Sequence, residues 1–307
     1  RNIISGNSAN GVYVTGGNRN TSQTVIAGNY IGLDSSGLRG RGNGQRGILV
    51  NGGADDTRIG TDGSNDAFNA SERNVISGNA WVHVWVTDAG TERTIVAGNY
   101  IGLLASGTEA ITRVDHSIVV NNGATDTRIG TNGNGIGDAD ERNVDAGSAW
   151  GPLVEGVGTN RTIFAGNYVG TNAAGDTSIP GSGGLTVRWG PHHTRIGTDG
   201  SNDPFNTNER NVISGTAGYG IGIFTTQWNG QMPAGGAYTE HTVVAGNYIG
   251  INATGTAVLP NASTGVYAAN IARNLRIGSD GNGIADEAER NVISGNSGNG
   301  VQVEGWT

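Results

Sequence analysis

The chain has 307 residues, of which 56 are Gly and none is Cys, and its formal net charge is −8. The lack of cysteine excludes disulfides and thiol chemistry, and the acidic balance argues against binding to a nucleic-acid backbone. No apolar run in the sequence is long enough to cross a membrane. We therefore expect neither a nucleic-acid partner nor a membrane span.

A short string opens the chain and recurs along it. RNIISGN begins at Arg1, and related RNV strings begin at Arg73, Arg142, Arg210 and Arg290. Strings of the form AGNYIG or AGNYVG lie between them and begin at Ala27, Ala97, Ala165 and Ala245. TRIG strings begin at Thr57, Thr127 and Thr194, with LRIG at Leu275. A period of about 70 residues predicts a solenoid of stacked repeats.

Each period contains two coils, because its two halves align on an asparagine. This column consists of Asn2, Asn29, Asn74, Asn99, Asn143, Asn167, Asn211, Asn247 and Asn291. Two positions later runs a β-branched column that one acid interrupts: Ile4, Ile31, Ile76, Ile101, Asp145, Val169, Ile213, Ile249 and Ile293. The alignment predicts nine stacked coils in a rod of about 40 Å, at ~4.8 Å per coil.

The residue types in these columns suit parallel strands and the bends between them. β-Branched side chains pack well between stacked strands, and stacked Asn amides form a ladder of hydrogen bonds where the chain turns. The run GVYVTG predicts a further strand with Val12 and Val14 inward and Tyr13 and Thr15 outward. We therefore predict one all-β domain over residues 1–307, a parallel β-helix with three short strands per coil.

The RNVISGN, AGNYIG and NGVxV strings resemble the β-helix repeats of large secreted bacterial surface proteins, within the pectate-lyase-like superfamily. This resemblance covers essentially the whole chain and implies a right-handed solenoid that is exported to the cell surface or beyond. The chain starts and stops inside repeats. We expect it to be part of a longer repetitive protein, or to associate end to end through uncapped strand edges.

Half of the 26 acidic residues lie in four loops between the TRIG and RNV strings. Oxygen ligands that alternate along a Gly-containing loop and close on a Glu suit Ca²⁺. The fourth loop, 280–289, is similar to the calcium loops of dockerin and thrombospondin type 3 repeats, whereas loops 62–72 and 199–209 depart from that pattern. The predicted ligands are Asp62, Asp66, Glu72, Asn132, Asn134, Asp138, Glu141, Asp199, Asp203, Glu209, Asp280, Asn282, Asp286 and Glu289.

An alternative interpretation makes these loops solvated turns that need no metal. Their carboxylates would then pair with the arginine that follows each closing Glu, namely Arg73, Arg142, Arg210 and Arg290. A single guanidinium cannot neutralise three or four carboxylates in one loop, so the calcium interpretation is favoured.

Large side chains replace small ones along one strand of the middle coils. We name the outer surface of segments 81–86, 114–120, 150–156, 185–193 and 218–228 the middle face. Alternation against inward valines predicts that Trp81, His83 and Trp85 point outward, and likewise Asp115, Ser117, Arg188 and Phe224. Exposed aromatic rings with interspersed polar groups are typical of a sugar-binding surface. The predicted glycan contacts are Trp81, His83, Trp85, Arg188 and Phe224. The alternative is drift on a permissive surface, or packing beneath the insertion at 225–242.

Catalysis on the middle face is a further hypothesis. A glycosidase needs two carboxylates that flank one bond, and Asp115, Asp145 and Glu155 come from consecutive coils. A lyase would use a base such as Arg188 or His116. Convergence of Asp115, Asp145, Glu155 and Arg188 on one groove would favour an enzyme, and their separation would favour a rod.

The sequence as a whole favours a calcium-stabilised structural or adhesive solenoid of a bacterial surface protein or fibre, which contacts a polysaccharide or cell-surface glycan. A secreted polysaccharide lyase or glycoside hydrolase that acts on the middle face is the alternative function.

Overall fold

The computed structural model describes residues 1–17, 22–111, 116–225, 237–269 and 272–305. Within these ranges the chain winds through three parallel sheets, two of nine strands and one of eight, and each strand pairs with its counterpart one coil away. The predicted all-β, right-handed parallel β-helix of nine coils with three short strands per coil is confirmed. The three sheets surround one long interior.

The strand bounds follow the repeat. Sheet 1, which carries the column two positions after the ladder Asn, consists of β1 (Ile3–Ile4), β4 (Tyr30–Ile31), β7 (Val75–Ile76), β10 (Tyr100–Ile101), β13 (Val144–Asp145), β16 (Tyr168–Val169), β19 (Val212–Ile213), β22 (Tyr248–Ile249) and β25 (Val292–Ile293). Sheet 2 consists of β2 (Val12–Thr15), β5 (Ile48–Asn51), β8 (Val82–Thr87), β11 (His116–Asn121), β14 (Leu153–Glu155), β17 (Leu185–Arg188), β20 (Ile221–Phe224), β23 (Val266–Ala269) and β26 (Val301–Val303). Sheet 3 consists of β3 (Val25–Ile26), β6 (Arg58–Gly60), β9 (Ile95–Ala97), β12 (Arg128–Gly130), β15 (Ile163–Ala165), β18 (Arg195–Gly197), β21 (Val243–Ala245) and β24 (Arg276–Ile277).

Helical structure is confined to two single turns in the described residues, the α-helical turn α1 (Asn69–Glu72) and a 3-10 turn (Asn206–Glu209). Both lie in acidic loops. Within the described part of the chain, no helix has the length and apolar character that a membrane crossing requires.

The interior is filled by stacked apolar columns, one from each sheet. Ile31, Ile76 and Ile101 of sheet 1 are completely buried against residues such as Val84 of sheet 2 and Ile59 of sheet 3. Burial of one such side chain contributes about 1.5–3 kcal/mol, and the same contribution recurs in almost every coil. Repetition of one packing solution is what makes the rod stable without a globular core.

The Asn column forms the predicted ladder of amides. Each side-chain Nδ2 donates to the Oδ1 of the Asn in the next coil, from Asn2 to Asn291, over 2.8–3.2 Å. The same Oδ1 also accepts the backbone N–H of the preceding Asn, as Asn143 does from Asn99 at 3.0 Å. The ladder therefore satisfies polar groups at the buried bend between sheets 3 and 1.

Hairpin-like loops from alternate coils cover the outer side of sheet 1. They close through isolated antiparallel bridges such as Leu33 to Gly40 and Leu103 to Ala110. Successive loops stack on each other through backbone hydrogen bonds, from Ala105 N to Gly37 O (3.0 Å) and from Ala173 N to Gly107 O (2.8 Å). A small apolar cluster of Tyr30, Leu33, Val75 and Leu104 fills the space beneath them. The outer side of sheet 2 carries no equivalent cover among the described residues.

Candidate functional site

A cleft of about 370 Å³ lies at the edge of sheet 2 and spans the coils of β11, β14, β17 and β20. Its floor is made of Ala149, Gly183, Gly184, Ala217 and Gly218, of which Gly183 and Gly184 are buried against the neighbouring coils. The side chains that rise around this floor are His116, Trp150, Thr186, Arg188 and Tyr219. This cleft therefore combines small floor residues with aromatic walls on the middle face.

Among the described residues of the middle face, tryptophan side chains are exposed in two places. Trp150 is 60% exposed at the cleft, with the ring of His116 at 6.4 Å. Trp81 is 49% exposed outside the cleft, and the guanidinium of Arg46 lies 5.0 Å from its ring. An aromatic ring exposed to this degree offers a large apolar surface for stacking. The outward orientation predicted for Trp81 is confirmed.

Trp85 also points outward, but its ring is half-buried. Its Nε1 donates to Asn121 Oδ1 at 2.8 Å, and Arg46 lies over its ring at 4.2 Å. Trp85 packs with Val82, Val119 and Leu153 in a small outer apolar cluster. Part of the Trp85 ring is therefore buried by packing.

Arg188 and Glu155 form an ion pair on the outer side of neighbouring strands. The Arg188 Nη2 lies 2.7 Å from Glu155 Oε2, and its Nε donates to the same oxygen at 2.7 Å. The guanidinium also stacks over Trp189 at 4.0 Å. Two of the four catalytic candidates are thus brought together, beside the cleft and neutralising each other.

The outward orientation predicted for His83 is wrong, since this side chain is 0% exposed. His83 lies in register with Gly47, where an added Cβ would meet Ile76 in the interior. Val82 belongs to the outer cluster and Val84 to the interior core. The inward–outward alternation therefore slips at the start of β8, and His83 points inward. It cannot contact a ligand on the middle face.

Ser117 occupies the same inward column one coil later, and its predicted outward orientation is also wrong. Its Oγ donates to Asp145 Oδ2 at 2.6 Å, and both residues are buried. Burial raises the pKa of Asp145 to about 7, and the hydrogen bond from Ser117 opposes part of that rise. Burial likewise lowers the pKa of His83 to about 4, and neither ring nitrogen of His83 has a partner among the described residues.

The three catalytic candidates that the structure describes, Asp145, Glu155 and Arg188, do not converge on one groove. Asp145 lies in the interior column of sheet 1, in register with Ile101 and Val169, whereas Glu155 and Arg188 lie on the outer side of sheet 2. Asp115 lies outside the described residues. Among the described residues that line the cleft, none is a carboxylate.

Phe224 points outward but is only 4% exposed. Its ring packs edge-on against Tyr219 and Tyr267, with 5.6 Å between ring centroids in both cases. The expected open aromatic contact is therefore replaced by a buried ring, and Tyr219 presents the accessible surface at the cleft.

The closing Glu of each acidic loop pairs with the Arg of the preceding TRIG or LRIG string. Glu141, for example, accepts from Arg128 Nη1 at 2.9 Å, from Thr131 Oγ1 at 2.9 Å and from Asn132 N at 2.9 Å. The equivalent guanidinium–carboxylate distances are 3.1, 2.7 and 2.6 Å for Arg58–Glu72, Arg195–Glu209 and Arg276–Glu289. Burial raises the pKa of Glu209, which Arg195 partly offsets.

The pairing expected with the arginine after each closing Glu is wrong for three loops. Arg73, Arg142 and Arg210 instead stack over Tyr100, Tyr168 and Tyr248 at 4.4, 4.3 and 4.2 Å. Their Nε atoms donate to backbone carbonyls of the next coil. Arg290 does lie near an acid of its own loop, 3.8 Å from the exposed Glu287.

Most other predicted metal ligands accept hydrogen bonds inside their own loops. Eight of them accept the backbone N–H two residues later, over 2.7–3.0 Å, which shapes the turn: Asp62, Asp66, Asn132, Asn134, Asp199, Asp203, Asp280 and Asn282. Asp138 accepts from Thr131 Oγ1, Gly135 N and, across to the next acidic loop, Asn208 Nδ2. These loops are therefore ordered by hydrogen bonds within and between them.

One loop brings three carboxylates together. Oxygen atoms of Asp280, Asp286 and Glu289 lie within 4.8 Å of one another, and the described residues contain no second group of this kind. Carboxylate oxygens have further lone pairs beyond those that accept from Ser279 and from backbone N–H groups. This donor set suits a hard divalent cation.

The predicted glycan contacts did not include three residues of the cleft, namely His116, which was named only as a candidate base, Trp150 and Tyr219. Strand register places all three one position before the column that contains Gly47, Ser117 and Gly220. That glycine column was the available signal, because it marks the bend at which the preceding side chain faces the edge of sheet 2.

Comparison with known proteins gives little further information. No protein-family model matches the chain, and no curated protein matches it. Among solved structures, DFA-IIIase from Arthrobacter chlorophenolicus A6 in complex with GF2 shares 14% identity over 92% of this chain and 70% of its own, with a TM-score of 0.30. A likeness this weak carries no argument about what this chain binds.

Proposed function

We propose that this chain is a structural or adhesive solenoid of a secreted bacterial surface protein, and that it binds a carbohydrate in the cleft of the middle face. The surface location rests on the resemblance of the repeats. The proposal that the ligand is a carbohydrate rests on the residues that line the cleft. The observation that carries this proposal is Trp150, which is 60% exposed beside a floor of glycine and alanine.

The chemistry of the lining favours sugars over other small ligands. The Trp150 and Tyr219 rings offer apolar surfaces that stack on the C–H faces of a sugar ring. The Thr186 hydroxyl and the Arg188 guanidinium supply polar groups that fix hydroxyl positions. Trp150 and Tyr219 line the same cleft, and aromatic surface that is grouped in this way is typical of an interaction site.

Binding is better supported than hydrolysis. Two carboxylates must flank the bond that a glycosidase cleaves. Asp145 is inside the rod and Glu155 is held by Arg188. The described part of the cleft therefore provides recognition groups without a pair of acids.

The test is carbohydrate binding by matched tryptophan variants. A glycan array with the intact chain identifies the ligand, and calorimetric titration then compares wild type, Trp150→Ala and Trp81→Ala. Loss of a central aromatic contact costs about 1–3 kcal/mol, so Trp150→Ala should weaken binding roughly 5- to 150-fold. Trp81→Ala removes another exposed ring, outside the cleft, and should leave affinity within about twofold.

Two results contradict the proposal. Equal affinity of Trp150→Ala and wild type would place the sugar elsewhere, and equal loss in both variants would indicate a general surface effect. Release of reducing ends or unsaturated uronates from the bound glycan would support the enzyme instead.

Calcium binding is a second part of the proposal. Asp280, Asp286 and Glu289 would hold the ion, because their oxygens lie together at a loop that is partly open to solvent. The bound ion would neutralise these carboxylates and tie the loop to β24 through Glu289, whose partner is Arg276. End-to-end association of the rod stays a prediction.

A further inference from the structure

Two regular columns of the solenoid are interrupted in three consecutive coils, at His83, Ser117 and Asp145. Asp145 replaces the Ile or Val of sheet 1. His83 and Ser117 replace glycine in the column that contains Gly47 and Gly151. The cleft opens on the outside of the same region. A buried carboxyl group is less stable in this position than Ile, so its coincidence with the cleft calls for a physical explanation.

A short chain of contacts joins the buried carboxyl to the cleft. Ser117 Oγ donates to Asp145 Oδ2 at 2.6 Å, and Ser117 N donates to Gly151 O at 3.3 Å. His116 Nδ1 lies 3.1 Å from the same carbonyl oxygen. Gly151 directly follows Trp150, and both His116 and Trp150 line the cleft. One carbonyl thus connects the interior with two walls of the site.

The surroundings of Asp145 make its charge state consequential. Ile101 and Val169 occupy its positions in the adjacent coils, and Ser117 is its one hydrogen-bond donor among the described residues. A carboxylate in such an apolar place must gain further hydrogen bonds or draw in water. Burial raises the pKa of Asp145 to about 7, so the group changes charge near neutral pH.

Of the other ionisable groups that the structure describes near Asp145, one is neutral, two point away from the interior, and His116 lies at the cleft. His83 points into the interior in Ser117's column, and burial lowers its pKa to about 4, so it is uncharged near pH 7. Glu155 and Arg188 of the adjoining strands point to the outer side of sheet 2 and pair with each other. His116 is on β11 itself, at the cleft, and its own protonation must be separated from that of Asp145.

We propose that Asp145 is a positioning residue for the cleft, acting through Ser117 and the Gly151 carbonyl on His116 and Trp150. Protonated Asp145 accepts the hydrogen bond of the Ser117 hydroxyl in a closely packed interior and ties β11 of sheet 2 to β13 of sheet 1. Ionised Asp145 draws water or further donors into this contact and displaces both cleft residues. The role in binding rests on the proposed function of the cleft, but the displacement itself does not.

The experiment follows the indole N–H signals of Trp150 and Trp81 by NMR from pH 5 to 9, without ligand. The Trp150 signal should shift with a midpoint near pH 7, and the Trp81 signal should not share that midpoint. Asp145→Asn keeps the shape of the side chain and should abolish the Trp150 shift. Ser117→Ala should abolish it as well, although the Asp145 carboxyl still titrates. Asp145→Val, which copies the residue at position 169, replaces Asp145→Asn if that variant does not fold.

Persistence of the Trp150 shift in Asp145→Asn would assign it to His116 and overturn the proposal. Titration of the Asp145 carboxyl carbon without any Trp150 response would overturn it equally. With a bound glycan, wild-type affinity should change several-fold across pH 7 and Asp145→Asn affinity should not. If the ligand-free shift is present but no glycan binds, the positioning role stands and the proposed function fails.

Discussion

Replacement of Asp145 by Val should stabilise the rod, and most strongly above pH 7. The substitution continues the column that Ile101 and Val169 form on either side. The folded state binds the proton of Asp145 more tightly than the unfolded chain does, because burial raises its pKa from 3.8 to about 7. Wild-type stability should therefore fall as the pH rises from about 4 to about 7, and this loss is complete above pH 7.

The expected gain in stability of Asp145→Val follows from the pKa shift of Asp145. About three pKa units correspond to roughly 4 kcal/mol, which is an upper bound for how far the gain at pH 8 exceeds the gain at low pH. The variant leaves the Ser117 hydroxyl without its acceptor, which costs about 1 kcal/mol. At pH 4 the buried carboxyl is already protonated in wild type. The gain there should be limited to the packing of the added methyl groups, about 1 kcal/mol.

Urea unfolding followed by far-UV circular dichroism at pH 4.5 and pH 8 measures this difference. The double variant Ser117→Ala/Asp145→Val is the matched control, since it removes the unpaired hydroxyl and should be at least as stable. A gain from Asp145→Val that is the same at both pH values would refute the reasoning, because the carboxyl group would then have an ordinary pKa in the folded state.

Three other predictions concern different parts of the rod. His83→Gly restores the glycine of its column and should flatten the loss of stability between pH 6.5 and 4, because burial lowers the pKa of His83 to about 4; an unchanged acid midpoint in thermal unfolding would contradict this. Calcium should raise the melting temperature, by an effect worth about 2.7 kcal/mol at 100 times its dissociation constant, and Asp286→Asn should abolish the rise whereas Asp203→Asn should not. No change of melting in excess chelator would contradict calcium binding. Trp85→Ala should destabilise the chain by about 1–2 kcal/mol, through loss of packing and of the hydrogen bond to Asn121. A free energy of unfolding within about 0.5 kcal/mol of wild type would show that the ring is merely exposed.

The architecture was predictable from the sequence because its determinants repeat in register. A column such as Asn29, Asn74 and Asn99 needs only identical spacing to be recognised, and stacking makes neighbouring coils reinforce one another. The same regularity explains why Tyr13 and Val14 were assigned to the correct sides, at 57% and 6% exposure. The alternating pattern holds wherever the strand is straight.

The candidate site was less predictable because it lies at a bend. His83 and Val84 both face inward, so counting alternate positions backward from Val84 gives the wrong side for His83. The partner of each closing Glu was missed for a similar reason. The loop returns to the strand that precedes it, so Arg128 meets Glu141, whereas the adjacent Arg142 turns toward Tyr168.

The stacked hairpins over sheet 1 define the step by which this rod can change length. Interior columns repeat with every coil, but the hairpins meet only across two, as from Gly37 to Ala105 and from Gly175 to Ala253. Removal of one coil would keep the Asn ladder intact but would bring a coil with a hairpin and a coil without one into the wrong order. One hairpin would then lack its neighbour, and the apolar underside of that hairpin would be open to water. Removal or duplication of two coils restores every contact at the junction. Variation in length within such a protein, whether arising by recombination or by design, should therefore proceed in pairs of coils.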